Sequence, residues 1–569
     1  MEFFVTTLPH RSAAFAFAND VVERDAQFDP IFATESGIAQ YDHLLPDFSP
    51  QRTLDDIAST KEFLQTLSAL TPTDDLDRIA IAVMEERLNA RLALFESGET
   101  SRVFSVLSSP ISSIRQVFEL MGADSAEQLG VIAQRLRAIR PALESWRPTL
   151  EELASNAQLP PRRHVVGVAE QAATYASGSF VGFVQRVAPN AGAESELVAA
   201  ARDADAACGE LSRWMIETIE PQATEKDAAG VDRYLAWSQY WNGATLDLDE
   251  LYAWGYADLR RINARMWEIA KELVPGATRL VDVAAYLDAD PERAIVGTEE
   301  LLKRLISFTE QAVEKLDGVH FDIDERIRFC DARLAPEGSA AAPYYIPPSE
   351  DLSRPGTTWF PTLGATTFSW WNHASTWYHE GVPGHHLQVA TSIIEADRLS
   401  RFHRLEAWTS GHGEGWALYA ERLMDELGFF SDLGDEMGYL ANQALRAARV
   451  MVDIGLHLEL KAPDDLGELA DLGDCSGKTW NAAMAVAVLD EFALQEHEMS
   501  VSEVDRYLGL PAQAISYKVG ERVWMRSREE AKVRVGADFS LKKFHAYALA
   551  LGPMGLDPFE EELRKWMGE

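Results

Sequence analysis

The stretch W-Y-H-E-G-V-P-G-H-H-L-Q, residues 377–388, decides how the rest of the chain is read. It begins as a helix carrying a histidine and a glutamate side by side, His379 and Glu380, and then breaks its own period. In the common H-E-x-x-H arrangement, histidines at i and i+4 project from one helical face toward one ion, and the intervening glutamate serves as general base. Here position i+4 is Pro383. Proline cannot donate to the carbonyl four residues back, and the following glycine loosens the turn, so Pro383-Gly384 predicts a kink or bulge. In an unbroken helix His386, at i+7, would share the face of His379 but sit roughly 10 Å further along the axis. A distorted turn shortens that reach. His385 and His386 therefore compete as the second ligand, with His385 favoured because G-H after a two-residue insertion mimics the H-E-x-G-H form of some metallopeptidases.

Six of the thirteen histidines, His373, His379, His385, His386, His403 and His412, fall within forty residues, where uniform scatter would place about one. A second string follows, G-H-G-E-G-W-A-L-Y-A-E-R-L from Gly411 to Leu423. Imidazole and carboxylate are the usual ligands of a catalytic zinc, which keeps a fourth position open for water. Glu414, 35 residues past His379 on a separate predicted helix, is the third-ligand candidate. Glu421 shares its face seven residues on and is placed to hold a ligand histidine's second ring proton. Glu380 would take a proton from metal-bound water. His373, His403 and His412 read as supporting or solvated groups.

Around this segment the chain is mainly α. Amphipathic patterns dominate residues 1 to about 280, for example SAEQLGVIAQRLRAIRPALESW and DLDELYAWGYADLRRINARMWEIAKELV. Breaks such as QLPPRRH (158–164) and LVPGAT (273–278) punctuate them. From Gly318 to about Phe368 short β-rich runs alternate with Pro and Gly, which predicts a small antiparallel ribbon directly before the metal helix. Helices return from Trp370 through Val389, Gly413 to Leu427, Tyr439 to Lys461 and Ala512 to Val533. The division expected is a helical N-terminal part, 1–280, and a catalytic part, 281–569.

Fifty-two basic against ninety acidic side chains leave a net charge of −38. That excludes a general nucleic-acid binder and disfavours an anionic membrane face, because a surface this acidic repels polyanions. The 47% hydrophobic and 25% charged fractions belong to a globular protein able to bury a large core. No apolar run is long enough for a transmembrane helix, and the first residues lack the basic start of a secretory signal. Cys208, Cys330 and Cys475 are an odd, widely spaced set without a C-x-x-C pair, which fits buried apolar residues in a reducing cytoplasm. Arg446, Arg449, Asp453 and His457 fall on one helical stripe, which is either a solvated, salt-bridged face or a cleft wall where an arginine binds a substrate carboxylate. The segment QEHEMSVSEVDRYLGLPAQ reads as a connector helix.

The sequence resembles the bacterial domain-of-unknown-function 885 family. The matching stretches are A-A-P-Y-Y-I-P-P-S ending at Ser349, H-E-G-V-P-G-H-H-L-Q (379–388), E-G-W-A-L-Y-A-E (414–421), R-A-A-R-V-M-V-D-I-G-L-H (446–457), Y-K-V-G (517–520) and F-H-A-Y-A-L-A-L-G (544–552). Members of that family look like zinc metallopeptidases, and they resemble in turn the helical zinc peptidases that include angiotensin-converting enzyme and the oligopeptidases. The resemblance implies two helical lobes around a deep cleft. It further implies a tyrosine, here Tyr517, and a second donor, here His545, for the tetrahedral oxyanion. Tyr345 would lie at the cleft rim, and the β ribbon could pair with an extended peptide. Asp453 would support the site from its stripe.

Together these readings predict a cytoplasmic Zn2+-dependent peptidase acting on short peptides, with no nucleic-acid or membrane partner and an oligomeric state the sequence does not set. Two alternatives stand beside it. One is a metal-dependent amidase on a non-peptide amide. The other is a non-catalytic binding scaffold in which Pro383 prevents coordination.

Overall fold

The computed structural model describes residues 11–335 and 342–568. Its frame follows from helices whose apolar residues recur at three and four. In the Leu248–Leu273 helix the buried positions are Leu248, Leu251, Gly255, Leu259, Ile262, Asn263, Met266, Ile269 and Ala270, and the Asp247 side chain caps its first turn through the Glu250 amide. That stripe packs on the Leu433–His457 helix, which is buried on almost every face. A helix apolar all round belongs at the centre of a core. Gly255 lets the two backbones close, since a Cβ there would press on Val450.

Two hydrophobic cores result. One joins residues from Ala18 to Leu94 with residues from Tyr234 to Trp566. The other is built from Ile31 and residues Phe104 to Ile219. This partition does not run at residue 280: the early helices Ala13–Phe28, Pro50–Ser68 and Asp75–Glu96 contribute to the same core as the Leu433–His457 helix.

The protein is mainly helical with small sheets, and the β segment departs from the expected antiparallel ribbon. Thr357–Phe360 is the middle strand of three. It pairs in parallel with Asp331–Leu334 and antiparallel with Tyr344–Ile346. A parallel pair needs a crossover of a dozen or more residues, and the chain between Leu334 and Thr357 is long enough to supply one and to lay a strand on the far edge. A separate antiparallel pair joins Ala294–Val296 to Thr367–Ser369. Helix ends shift by a few residues from expectation: the later helices run Ser410–Glu426, Leu433–His457 and Ser516–Val535. The helix expected within QEHEMSVSEVDRYLGLPAQ runs His497–Gly509.

Glycine contact decides how the Ser410–Glu426 and Ser516–Val535 helices meet. A Cβ on Gly520 would run into the Gly411 carbonyl oxygen and the Gly415 Cα, so the two backbones touch where side chains normally intervene. Beside the contact, the fully buried Lys518 ammonium donates to Glu521 at 2.8 Å and to Gln443 at 2.6 Å, and pairs with Asp258 at 3.1 Å. These partners tie three helices together, and a buried charge left without them would be costly. We predict that Gly520→Ala lowers stability by about 1–3 kcal/mol through overpacking. Urea unfolding checks this, and a wild-type midpoint would refute the close approach.

Candidate metal centre

The helix that starts at Ala374 stops at Glu380, and a second one starts at His385. Between them Gly381 and Gly384 adopt non-helical ψ values of −124° and −131°, and the Val382–Pro383 peptide is cis. Gly384 lies so close to the preceding turn that a Cβ would meet the Tyr378 and His379 carbonyl oxygens. Breaking a helix strands backbone carbonyls that must find other donors. The Trp416 indole N–H supplies one, lying 2.9 Å from the Pro383 oxygen and 3.1 Å from that of Gly384. Trp416 belongs to the same E-G-W-A segment that carries Glu414, so one helix both closes the break and offers a ligand.

The consequence is convergence. His379 Nε2 lies 3.2 Å and His385 Nε2 3.3 Å from the same oxygen of Glu414, Oε2. The three ligand atoms sit within 4.8 Å of one another, and the two rings are nearly perpendicular at 86°. Ligand atoms of a tetrahedral zinc are separated by roughly 3.3 Å, given bonds of about 2.0 Å. The donor set fits: two imidazoles and a carboxylate, all in a wall facing open space, leave room for a further ligand. His379 also donates from Nδ1 to Glu421 at 2.8 Å, and Ser375 donates to the other Glu421 oxygen. That bond points Nε2 at the centre. Pro383 therefore does not hold the imidazoles apart.

The charges of the cluster are tightly coupled. Burial disfavours a charged His379, but its bonds to Glu414 and Glu421 outweigh this and raise its pKa to about 9. Burial likewise opposes ionisation of Glu414, yet the neighbouring His385 and His379 hold its carboxyl well below the usual range. Glu380 is buried and its pKa is raised, by desolvation above all. Tyr517 stacks on His379 with ring centroids 6.0 Å apart, and burial followed by the Glu414 charge raises its pKa.

These groups open onto a cavity of about 1490 Å³. His379, Glu380, His385, Glu414, Arg446, Arg449 and Tyr517 all line it, as does Tyr345 from the edge strand. Its lining also includes Arg115, Glu119 and Gln171, from the smaller core's side of the molecule.

Three sequence candidates are placed elsewhere. His386 donates from Nε2 to the Ile327 carbonyl at 2.8 Å and accepts the Tyr345 hydroxyl at Nδ1 at 3.0 Å, so neither nitrogen is free and the ring fastens the sheet to the helix. His545 accepts the Tyr419 hydroxyl at 2.7 Å and stacks on Phe321, buried behind Trp416 and away from the cavity. Asp453 is fully buried, accepting Tyr234 at 2.6 Å and the Ala512 amide at 3.1 Å, one turn beyond Arg449, the last cavity residue of its helix. Each sits on the face its spacing predicts, but that face is met by protein. Residues missed by the sequence reading are Trp408, whose ring lies 5.8 Å from His385, and Glu503, which pairs with Arg449 at 2.6 Å. Glu503 lies four residues before Tyr507, and that i, i+4 spacing was the available signal.

With the geometry in view, the chain is placed among known proteins. It belongs to the family described as bacterial proteins of unknown function, DUF885, whose model matches residues 30–563. Two solved structures described as a "putative lipoprotein" share the fold. One, from Colwellia psychrerythraea, is 19% identical with a TM-score of 0.83, covering 97% of this chain and 98% of the other. The second, of unknown function and from Shewanella oneidensis, is 17% identical with a TM-score of 0.71, covering 97% and 100%. No functionally curated protein matches the chain. Among the described residues no helix is long and apolar enough to cross a membrane.

The broken turn and the displaced Asp453 each carry a test. Trp416→Phe removes the donor to the Pro383 and Gly384 oxygens and should cost about 1–3 kcal/mol; an unchanged thermal midpoint would refute that role. Burial pushes the Asp453 carboxyl up to about 7. Between its ordinary value and 7 the folded chain holds the proton more tightly than the unfolded one, so this carboxyl makes stability fall as pH rises through that window. Asp453→Asn should flatten that fall, measured as urea midpoints from pH 4 to 8.

Proposed function

We propose that the protein is a metal-dependent hydrolase of short peptides, with zinc as its ion and His379, His385 and Glu414 as protein ligands. The observation that carries this reading is the meeting of two imidazole nitrogens at one Glu414 oxygen in the wall of a large cavity, with a buried carboxyl, Glu380, next in the chain to the first of them. Two histidines and a carboxylate suit zinc. When bound, such an ion would supply Lewis acidity and a water acidified toward neutrality.

The chain's own groups do the rest. Glu380 has its pKa raised by burial, which suits a carboxylate that accepts a proton from the attacking water and passes it to the leaving amine. The Tyr517 hydroxyl, kept protonated by burial, is the donor for the oxyanion that develops on the scissile carbonyl. The two cores act as lobes around the cavity, and the short strands at its edge offer a peptide main chain a surface to lie along.

For location, three buried cysteines without disulfides support a reducing compartment, the cytoplasm. The designation of the two structural relatives makes the cell envelope the competing site, and fractionation of the native host separates the two.

Metal analysis and turnover test the function together. Glu414→Ala should lose bound zinc, whereas Glu380→Gln should keep it and lose turnover by about 10²-fold or more. Zinc-free protein after supplementation, or a fully active Glu380→Gln variant, would overturn the proposal. Parallel peptide and simple-amide panels identify the bond cleaved.

A further inference from the structure

Four arginines line the cavity, and three of them are neutralised. Arg115 pairs with Glu119 at 2.8 Å, Arg404 with Glu350 at 2.8 Å and Arg449 with Glu503 at 2.6 Å. The fourth, Arg446, has no carboxylate within ion-pair distance among the described residues. Its Nη1 donates to the Asn442 side chain at 2.7 Å and to the Asn442 carbonyl at 3.3 Å, and its Nε has no partner. It is nonetheless 93% buried, with 7% of its surface exposed. A buried cation without a counter-charge is costly, and folds normally pair it. Glu380 feels the Arg446 charge without forming an ion pair with it.

Position adds a second observation. The guanidinium lies 5.7 Å from the ring centroid of Tyr517, and that ring stacks on His379. Arg446, Tyr517 and the first ligand thus form a short row along the cavity wall. Arg449 flanks the same ring at 4.6 Å, but Glu503 neutralises it, and Glu503 and the Tyr507 hydroxyl take its Nε and Nη2 donors, leaving only Nη1 without a partner. Guanidinium presents a planar fork that matches a carboxylate.

We propose that Arg446 receives a carboxylate of the substrate close to the scissile bond, so that the ligand completes an ion pair the fold leaves open. The inference rests on the hydrolase reading for its substrate. It selects Arg446 over Arg449 because only the former lacks an acid. The carboxylate comes either from a free chain terminus or from an acidic side chain beside the cleaved bond, and the two sources are separable.

Zinc-loaded full-length protein is assayed with N-acetyl-Ala-Phe and its C-terminal amide, and with N-acetyl-Ala-Asp-amide and its Asn counterpart. The same four compounds are titrated calorimetrically into the Glu380→Gln protein, where turnover does not interfere. We expect an acid to be preferred over its neutral partner by about 30-fold or more, the scale of a buried charge pair. Arg446→Gln should bring that ratio near one, read within each acid/neutral pair so that any change common to both compounds cancels, and Arg446→Lys should restore part of it. A preference within the first pair marks a terminal carboxylate; one within the second marks a side chain. Equal handling of acid and neutral compounds by wild type, or a preference that survives Arg446→Gln, overturns the proposal. If nothing is hydrolysed the hydrolase reading fails separately, and calorimetry still decides whether Arg446 binds a carboxylate. The thermal midpoint of Arg446→Gln should not fall below wild type, since no ion pair is lost and an unpaired buried charge is removed.

Discussion

A helix broken at residues 381–384 is the constraint on which the candidate centre depends. An unbroken helix would send His379 and His385 to different faces, whereas the glycine-flanked turn folds the second imidazole back over the first. Such a turn exposes carbonyls in the interior, where each unmet acceptor carries a cost. The Trp416 indole meets two of them. Because Trp416 stands two residues after Glu414, repair of the break and delivery of the third ligand belong to one rigid helix.

That helix is held in turn by backbone contact. Gly411 and Gly415 press on Gly520, so the separation of the Ser410–Glu426 and Ser516–Val535 helices is set by main chain and not by flexible side chains. Tyr517 lies one turn from the contact and therefore faces Glu414 and His379 in a defined way. The Y-K-V-G segment divides its work: tyrosine toward the cavity, lysine into a buried ion network, glycine against the neighbouring helix. Buried polar groups concentrate here because the surrounding helices are closed enough to satisfy them individually.

Much of the candidate centre was legible in the sequence because side chains that converge from helices obey spacing. Density of histidine marked the region, Pro383 excluded the standard i+4 ligand, and Glu421 at seven residues from Glu414 fell where a support for His379 was needed. What spacing reports is a helical face, not the partner opposite it. His386, His545 and Asp453 each occupy a plausible face, but strands, aromatic rings and a distant tyrosine cover those faces. The choice between His385 and His386 depended on the turn's dihedral angles, which no periodicity encodes. The parallel strand pairing was hidden for a similar reason: alternation signals a strand but not its neighbour. The helix around Glu503 carries mixed polarity along its length, so its contribution to the cavity wall emerges only from packing.

The smaller core contributes a wall of the cavity yet none of the three ligands, which all sit on helices of the larger core. The cavity's lining is therefore divided between two cores that pack independently, so substitutions in the Pro110–Val117 and Arg162–Ala176 helices can reshape part of the wall without touching the side chains of His379, His385 and Glu414.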